Sequence, residues 1–239
     1  MKLFIAGTSI LIALLLTTLT ALAGDFADRE VHGFTVDGGL FAFEEYGTQD
    51  GSGFPYSNIY VIDTQTDEWT ANSPYRMLLQ DETKTVFDAR QEARILAGPV
   101  MKSFENRGNI VGSNKPTEMS ANPHVMAVNP RVVVPPIDDT LEFRISEKEF
   151  SPSSLCNAFG PSTGFKLLKV ATKDGETTQI IHEDTNIPDS RKCPIGYSFS
   201  DLVTYYPEGS APKFAALILI RSQGFEGPDG RFMAITGSF

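Results

Sequence analysis

The sequence predicts a mainly β protein with a sandwich-like or irregular propeller-like antiparallel fold and one covering helix. Three observations predict it. Short runs rich in aromatic and β-branched residues recur between turns of Gly, Pro, Asn and Asp, as strands do. The run at residues 214–220 is apolar throughout, which is typical of a strand buried on both faces. A helical period occurs in one stretch, at about residues 84–97.

The N-terminal segment has the pattern of a secretory signal peptide. It begins with Met1 and the basic Lys2, runs uncharged over residues 3–23 and ends in Ala-Leu-Ala. An uncleaved membrane anchor is the alternative, because about 20 apolar residues can span a bilayer. The threonines near its end and the Ala-x-Ala site favour cleavage after Ala23, so residues 1–23 are assigned to the signal peptide. Residues 24–239 are then expected to form a single periplasmic or secreted β-rich domain that does not insert into the membrane.

The charge balance excludes two classes of partner. Lys2 is one of the chain's 20 basic residues, so after cleavage 19 face 30 acidic residues, a net charge of −11. Nucleic acids and anionic lipids are bound through clusters of lysine and arginine, so neither is an expected partner. The expected partner is an envelope protein or a small ligand.

A predicted hairpin dominates the first part of the domain. After a turn at Asp37-Gly38, strands are predicted at residues 40–46 and 58–63. A glycine-rich loop, residues 47–57, joins the two strands.

Two motifs of this hairpin, FTVDG before its first strand and IYVID in its second, resemble one blade of the β-propeller of the periplasmic Tol-system protein. A propeller would repeat this unit about every 40 residues. One weak echo is present: DGRFMAI at residues 229–235 matches DGGLFAF at residues 37–43. A regular propeller is therefore not expected, but the two similar strands could lie near one another in a closed or sandwiched sheet.

The predicted helix has its own start and stop signals. Apolar residues recur at spacings of three and four through residues 86–97, and Thr85 with Asp88 resembles a capping box. A Gly-Pro pair follows and ends the pattern. The expected role of this helix is to cover one face of a sheet.

The second half of the chain begins with a connector, residues 107–139, which is rich in Asn, Gly and Pro. It is either a boundary between domains or a long ordered surface crossing, with one short strand at residues 131–134. Besides the apolar run named above, later strands are predicted at residues 141–145, 165–172, 177–183, 197–206 and 231–236.

The two cysteines, Cys156 and Cys193, are expected to form a disulfide, because an isolated pair in an exported protein is most simply oxidised. A metal-binding or redox pair is the alternative. It has little support, because the chain has no Cys-x-x-Cys motif and no histidine at ligand spacing.

Catalytic signatures are mostly absent. The sequence has no H-E-x-x-H motif, no P-loop and no dinucleotide-binding fingerprint. GPSTG at residues 160–164 matches the nucleophile motif G-x-S-x-G by letter. However, a proline-bearing loop leads into a strand there, whereas the motif requires a strand before the serine and a helix after it. No catalytic residue is therefore assigned, and a non-enzymatic protein is favoured.

The candidate binding site lies in and beside two similar loops, residues 47–57 and 222–230. Both combine glycines with aromatic and acidic side chains. If the two hairpins are neighbours, these side chains surround one hollow in which rings can stack on a ligand or partner. The candidate residues are the carboxylates Glu44, Glu45, Asp50, Glu226 and Asp229 and the aromatic residues Phe54, Tyr56 and Phe225.

Converging carboxylates would also suit a hard cation, since Ca²⁺ takes six to eight oxygen ligands. The alternative function is therefore a Ca²⁺-dependent binding protein or a hydrolase that uses the acidic cluster, although no EF-hand spacing is present. A simpler explanation is that the carboxylates are solvated turn residues and that each aromatic ring packs under its own loop.

Taken whole, the chain resembles a family of predicted secreted proteins of unknown function from Gram-negative bacteria. The resemblance lies in FAFEEYGTQDGSGFPYSNIYVID at residues 41–63, IPDSRKCPIGY at residues 187–197 and GFEGPD at residues 224–229. It implies a periplasmic location and no particular activity. The resulting hypothesis is a non-enzymatic periplasmic protein that binds a ligand or partner through the two loops.

Overall fold

A computed structural model describes residues 24–105, 107–115, 122–224 and 227–239. The predicted signal peptide, residues 1–23, lies outside the described residues. Within them, 13 strands form three antiparallel sheets, accompanied by two helices. The prediction of a mainly β fold with a covering helix is confirmed. No helix in the described part of the chain is long and apolar enough to cross a membrane.

The N-terminal strands form the first sheet, which we call the helix-covered sheet. Its strands are β1 (Asp28–Phe34), β2 (Leu40–Thr48), β3 (Pro55–Asp63), β4 (Glu68–Trp69) and β5 (Tyr75–Leu78). They lie in the order β1-β2-β3-β4, and β5 also pairs with β3. The predicted turn at Asp37-Gly38 joins β1 to β2, and Gly38 has the positive φ of 71° that such a turn favours.

The predicted helix is observed as α1 (Val86–Leu96), and a short helix α2 (Gly98–Met101) follows it. The capping box is confirmed, because the Thr85 hydroxyl accepts from the Asp88 N–H and the Asp88 carboxylate accepts from the Thr85 N–H. Ala89 and Ala93 are fully buried towards the sheet, where small side chains allow close approach of helix and strands. The helix therefore covers a sheet face, as predicted.

Two further sheets follow. The central sheet contains β6 (Asn109–Ser113), β11 (Pro194–Tyr205), β12 (Lys213–Gln223) and β13 (Pro228–Ser238) in the order β13-β12-β11-β6. The outer sheet contains β7 (Val125–Val128), β8 (Leu141–Phe150), β9 (Ser162–Val170) and β10 (Gln179–Glu183) in the order β10-β9-β8-β7.

The central sheet separates two hydrophobic cores, and β12 contributes to both. Phe214, Ile218 and their alternate neighbours pack with residues of the outer sheet. Ala215 and Leu217 pack on the opposite face, with residues of the helix-covered sheet. The side chains from Phe214 to Ile220 are buried, as expected for the predicted strand with two covered faces. The layers are therefore the helix, the helix-covered sheet, the central sheet and the outer sheet. They are stacked on one another and are not arranged around an axis as the blades of a propeller are.

The connector is more structured than predicted, and its predicted strand is wrong. β6 and β7 both lie within residues 107–139 and join different sheets, whereas residues 131–134 form no strand. Val134 is 98% exposed there. Two prolines follow it, and a proline cannot donate a hydrogen bond to a neighbouring strand.

The predicted disulfide between Cys156 and Cys193 is confirmed. It joins the loop after β8 to the residue that precedes β11. A 3₁₀ turn, Asp189–Arg191, ends two residues before Cys193. The disulfide therefore anchors this turn, which forms part of the cleft described below.

Candidate binding cleft

A cleft of about 880 Å³ runs along the free edge of β13. Because β13 is the last strand of the central sheet, the neighbouring sheets extend past it and form two walls. The wall residues include Phe43, Tyr60 and Trp69 from the helix-covered sheet, and Ile181, His182 and Arg191 from the outer sheet and the turn that follows it.

The floor of the cleft is the backbone of β13. In an antiparallel pair, alternate residues direct their N–H and C=O groups to the partner strand, and the residues between them direct theirs away. Gly230 belongs to the second set. Its N–H donates to the carbonyl oxygen of Asp25, and its own carbonyl accepts from the N–H of Ala27, both at 3.0 Å. The free-edge residues of β13 are therefore the even-numbered ones.

Two carboxylates bind the next free-edge N–H groups. The Phe232 N–H donates to Oε2 of Glu45 at 2.8 Å. The Thr236 N–H and hydroxyl both donate to Oδ1 of Asp67, at 2.6 Å and 2.9 Å. Each of these N–H groups is thereby closed to pairing with another strand, which is how proteins commonly protect an exposed sheet edge.

Ala234 lies between these two positions and has the same orientation. It stands opposite Leu217 in the β12 pairing, so its N–H and C=O point away from β12 and into the cleft. Neither group has a hydrogen-bonding partner among the residues that the structure describes. Along residues 230–236 of the free edge, the N–H groups of Gly230, Phe232 and Thr236 are thus occupied, and that of Ala234 is open.

Both carboxylates are held in place by their own surroundings. Oε1 of Glu45 accepts from the Tyr60 hydroxyl at 2.8 Å and from the Asn58 amide at 3.0 Å. Burial, together with the neighbouring Glu45 charge, raises the pKa of Tyr60 well above its ordinary value, so the phenol stays a donor. Asp67 has a φ of 58°, in the left-handed region, at the turn before β4. Burial raises its pKa despite the two hydrogen bonds from Thr236.

One end of the cleft is closed by contacts around Asp25. The Tyr56 hydroxyl donates to Oδ1 of Asp25 at 3.2 Å, and the Asp25 N–H donates to Oδ1 of Asp229 at 3.2 Å. Arg231 lies 4.9 Å from the centroid of the Tyr56 ring and forms an ion pair with Asp25. The structure therefore brings three predicted site residues, Glu45, Tyr56 and Asp229, to the same end of the cleft.

The opposite wall is basic, and its cations have internal partners. Arg191 donates to Oδ2 of Asp184 at 2.7 Å, and Nε2 of His182 lies 2.9 Å from Oδ1 of the same carboxylate. Burial opposes ionisation of Asp184, but the hydrogen bonds from His182 and Arg191 lower its pKa overall. The side chains of Arg191 and His182 are therefore held in place by Asp184 and are not free to pair with a ligand.

Glu44 faces the other side of the helix-covered sheet, because successive residues of a strand point to opposite faces. It is fully buried beneath α1, and Arg90 donates to both of its oxygens at 2.8 Å and 3.0 Å. Arg94 donates to Oε2 at 3.1 Å and the Ser57 hydroxyl to Oε1 at 2.9 Å. Glu44 therefore forms ion pairs that hold α1 against the helix-covered sheet.

A possible metal-ligand group, Glu30, His32 and Glu44, lies at this position, with its ligand atoms within 4.8 Å of one another. Arg90 and Arg94 bind the carboxylate oxygens of both glutamates, so guanidinium groups already supply the positive charge there. Ca²⁺ binding by the loop carboxylates stays a prediction.

Acid is expected to destabilise the protein through Glu44. Burial alone would raise the pKa of this carboxyl, but His32, Arg90 and Ser57 together hold it far below its ordinary value of 4.5. The resulting stabilisation is fully present above that ordinary value and is lost as the pH falls towards the folded-state pKa. Stability should fall by up to about 1.4 kcal/mol per pH unit in that window.

Urea unfolding between about pH 5 and pH 3 measures this effect. Glu44→Gln, which cannot ionise, should show a smaller loss across the window than the wild type. Glu149→Gln, at an exposed position on β8, is the matched control and should behave as the wild type does. An identical loss in Glu44→Gln and the wild type would contradict the assignment.

The remaining predicted residues are placed differently. Asp50 is exposed at the tip of the loop between β2 and β3, and Phe54 is half-buried in the same loop. Phe225 and Glu226 lie outside the described residues. Their participation in binding stays a prediction.

Sequence reasoning missed Asp25, Asp67, Arg231 and Ala234. Asp67 lies in a polar turn that looked like a simple connection, and Ala234 has no chemical signal at all. Both matter only because β13 is an edge strand, and that depends on the order of strands in the sheet.

The fold and the cleft together define a stacked-sheet β protein with an open strand edge between two walls. The chain belongs to the family described as predicted secreted protein (DUF2259), whose model matches residues 42–238. No curated protein and no solved structure matches the chain.

Proposed function

We propose that this chain is a non-enzymatic periplasmic binding protein that holds an extended polypeptide segment in the cleft beside β13. The open backbone of Ala234 on the cleft floor is the observation that supports this proposal. An extended segment can add to an exposed sheet edge, where main-chain hydrogen bonds give affinity and side-chain pockets give specificity. The N–H and C=O of Ala234 offer one such pair of hydrogen bonds.

Some backbone groups on the free edge of β13 are already hydrogen-bonded and others are open. This pattern supports a restricted binding site rather than an edge that is exposed along its whole length. Bonds at Gly230, Phe232 and Thr236 occupy the free-edge N–H groups on both sides of Ala234 and leave the Ala234 N–H open between them. An unprotected edge would invite aggregation, whereas an edge that is open between bonded N–H groups and lies between two walls admits a short guest segment. Because Glu45 and Asp67 hold backbone N–H groups, they serve as positioning groups in this proposal rather than as an acid and a base.

The walls suit the side chains of an extended guest. Strand side chains alternate between two directions, so the guest would present one set to each wall. The set facing the helix-covered sheet would meet a row of neighbouring aromatic rings, since the Phe43 and Tyr60 centroids are 4.8 Å apart and those of Tyr60 and Trp69 are 5.7 Å apart. Aromatic surface of this kind binds apolar side chains well.

Phage-displayed ten-residue peptides provide the probe. A peptide selected on the wild-type protein is synthesised with a fluorescent label, and its Kd is measured by fluorescence anisotropy. Trp69→Ala should weaken binding by about tenfold, because the 48%-exposed ring of Trp69 faces the cleft. Phe87→Ala is the matched control, since Phe87 is also exposed but lies on α1, and it should leave the Kd unchanged. Failure to select any peptide, or equal Kd values for both variants, would contradict the proposal.

A further inference from the structure

Arg76 is a cation of the cleft that forms no ion pair with any residue that the structure describes. Other basic side chains of the lining are each held by a carboxylate of the chain: Arg231 by Asp25, Arg191 by Asp184 and Lys192 by Asp229. Arg76 lines the same cleft, but no carboxylate in the described part of the chain lies within 4.0 Å of its side-chain nitrogens. Its charge is therefore available to a ligand.

The strand register fixes where this charge lies. Arg76 stands opposite Asn58 in the pairing of β5 with β3, so both side chains are on the face that borders the cleft. The Asn58 amide donates to Glu45, which in turn binds the Phe232 N–H. These contacts place Arg76 on the helix-covered wall and link it, through Asn58 and Glu45, to the backbone of Phe232, two residues along β13 from Ala234.

We propose, on the basis of the strand binding proposed above, that the guest segment presents a carboxylate to Arg76. Residues directly opposite one another in paired strands have their side chains on the same face. Ala234 and Phe232 both face the helix-covered sheet, so the guest residues opposite them face it too. The carboxylate therefore belongs to the guest residue two positions from the one paired with Ala234. It is either an acidic side chain or the C-terminus of the guest.

The chemistry of arginine suits this role. A guanidinium binds a carboxylate through two parallel N–H···O bonds, which add geometric specificity to the attraction. The whole chain has a net charge of −10, which repels an acidic segment at long range. Recognition of the carboxylate is thus local, at Arg76.

A peptide scan tests this inference. The host is a labelled ten-residue peptide of alternating threonine and valine with blocked ends, in which Asp replaces each residue in turn. Asn at the same position is the matched control. In the favourable register, Asp should bind about tenfold more tightly than Asn, as expected for a charge-assisted hydrogen bond of about 1.4 kcal/mol. Moving Asp by one residue turns it towards the outer-sheet wall, where this preference should disappear.

Two variants test whether Arg76 causes the preference for Asp over Asn. Arg76→Gln should bind the Asp and Asn peptides equally, and Arg76→Glu should prefer Lys at the same position. Both change an exposed side chain, and unchanged thermal unfolding checks that they fold. Peptides that end at this position, with either a free or an amidated C-terminus, separate a terminal carboxylate from a side-chain one. A tenfold preference for the free acid over the amide would show that the C-terminal carboxylate of the guest binds Arg76.

The outcomes separate this inference from the proposed function. If the Asn peptides bind but Asp gives no preference in any register, or if the preference persists in Arg76→Gln, the role of Arg76 is overturned and strand binding stands. If no peptide of the set binds, even with Asp in each position in turn, the role of Arg76 is overturned, and strand binding is decided by the selected peptides.

Discussion

Replacing Phe214 with alanine is expected to lower the free energy of unfolding by about 3–5 kcal/mol. Phe214 is fully buried on β12, and its ring centroid lies 4.8 Å from that of Phe143 in the outer sheet. Its removal leaves a cavity between β12 and β8, each of which is paired on both sides, which limits how far the site can collapse. Denaturant unfolding followed by circular dichroism measures the loss.

Phe87→Ala is the matched control for this substitution. The same side chain is removed, but Phe87 is 71% exposed on α1. Its loss should change the free energy of unfolding by no more than about 0.5 kcal/mol. Equal destabilisation by the two variants would contradict the assignment of β12 as the strand shared by both cores.

Removing the disulfide is expected to cost about 2–5 kcal/mol. The bond between Cys156 and Cys193 closes a loop with a sequence separation of 37 residues, for which the chain-entropy model gives about 3–4 kcal/mol. The double variant Cys156→Ala/Cys193→Ala should therefore unfold at lower urea concentration than the wild type.

A reducing agent provides the internal control. It should lower the stability of the wild type to about that of the double variant and leave the double variant unchanged. A double variant as stable as the oxidised wild type would show that the loop is held by its packing alone.

Features set by local physics were predictable from the sequence. The apolar run of β12 predicted a strand covered on both faces, and Thr85 with Asp88 predicted the start of α1. Each depends on a few neighbouring residues, through hydrophobic periodicity or a side chain that caps a backbone N–H group. The disulfide followed from the presence of two cysteines in an exported chain.

The cleft was less predictable, because it depends on contacts between distant residues. Glu45 and Phe232 are separated by 187 positions, and Asp67 and Thr236 by 169. One part of the site was predictable: adjacent residues of a strand face opposite sides of a sheet, so Glu44 and Glu45 could have been assigned to different faces. Sequence patterns do not reveal which strand is last in a sheet, so the open edge at Ala234 had no local signal.

Alternate N-methylation of the selected peptide tests the pairing with β13 most directly. In a strand that pairs along one edge, only every second N–H faces the partner, and an N-methyl group there removes the donor and blocks close approach. The two peptides with N-methyl groups at odd or at even positions have the same composition. We predict that one of them loses measurable binding to the wild-type protein while the other keeps its Kd within about threefold. Equal effects of the two N-methylation patterns would contradict the binding of a guest strand at Ala234.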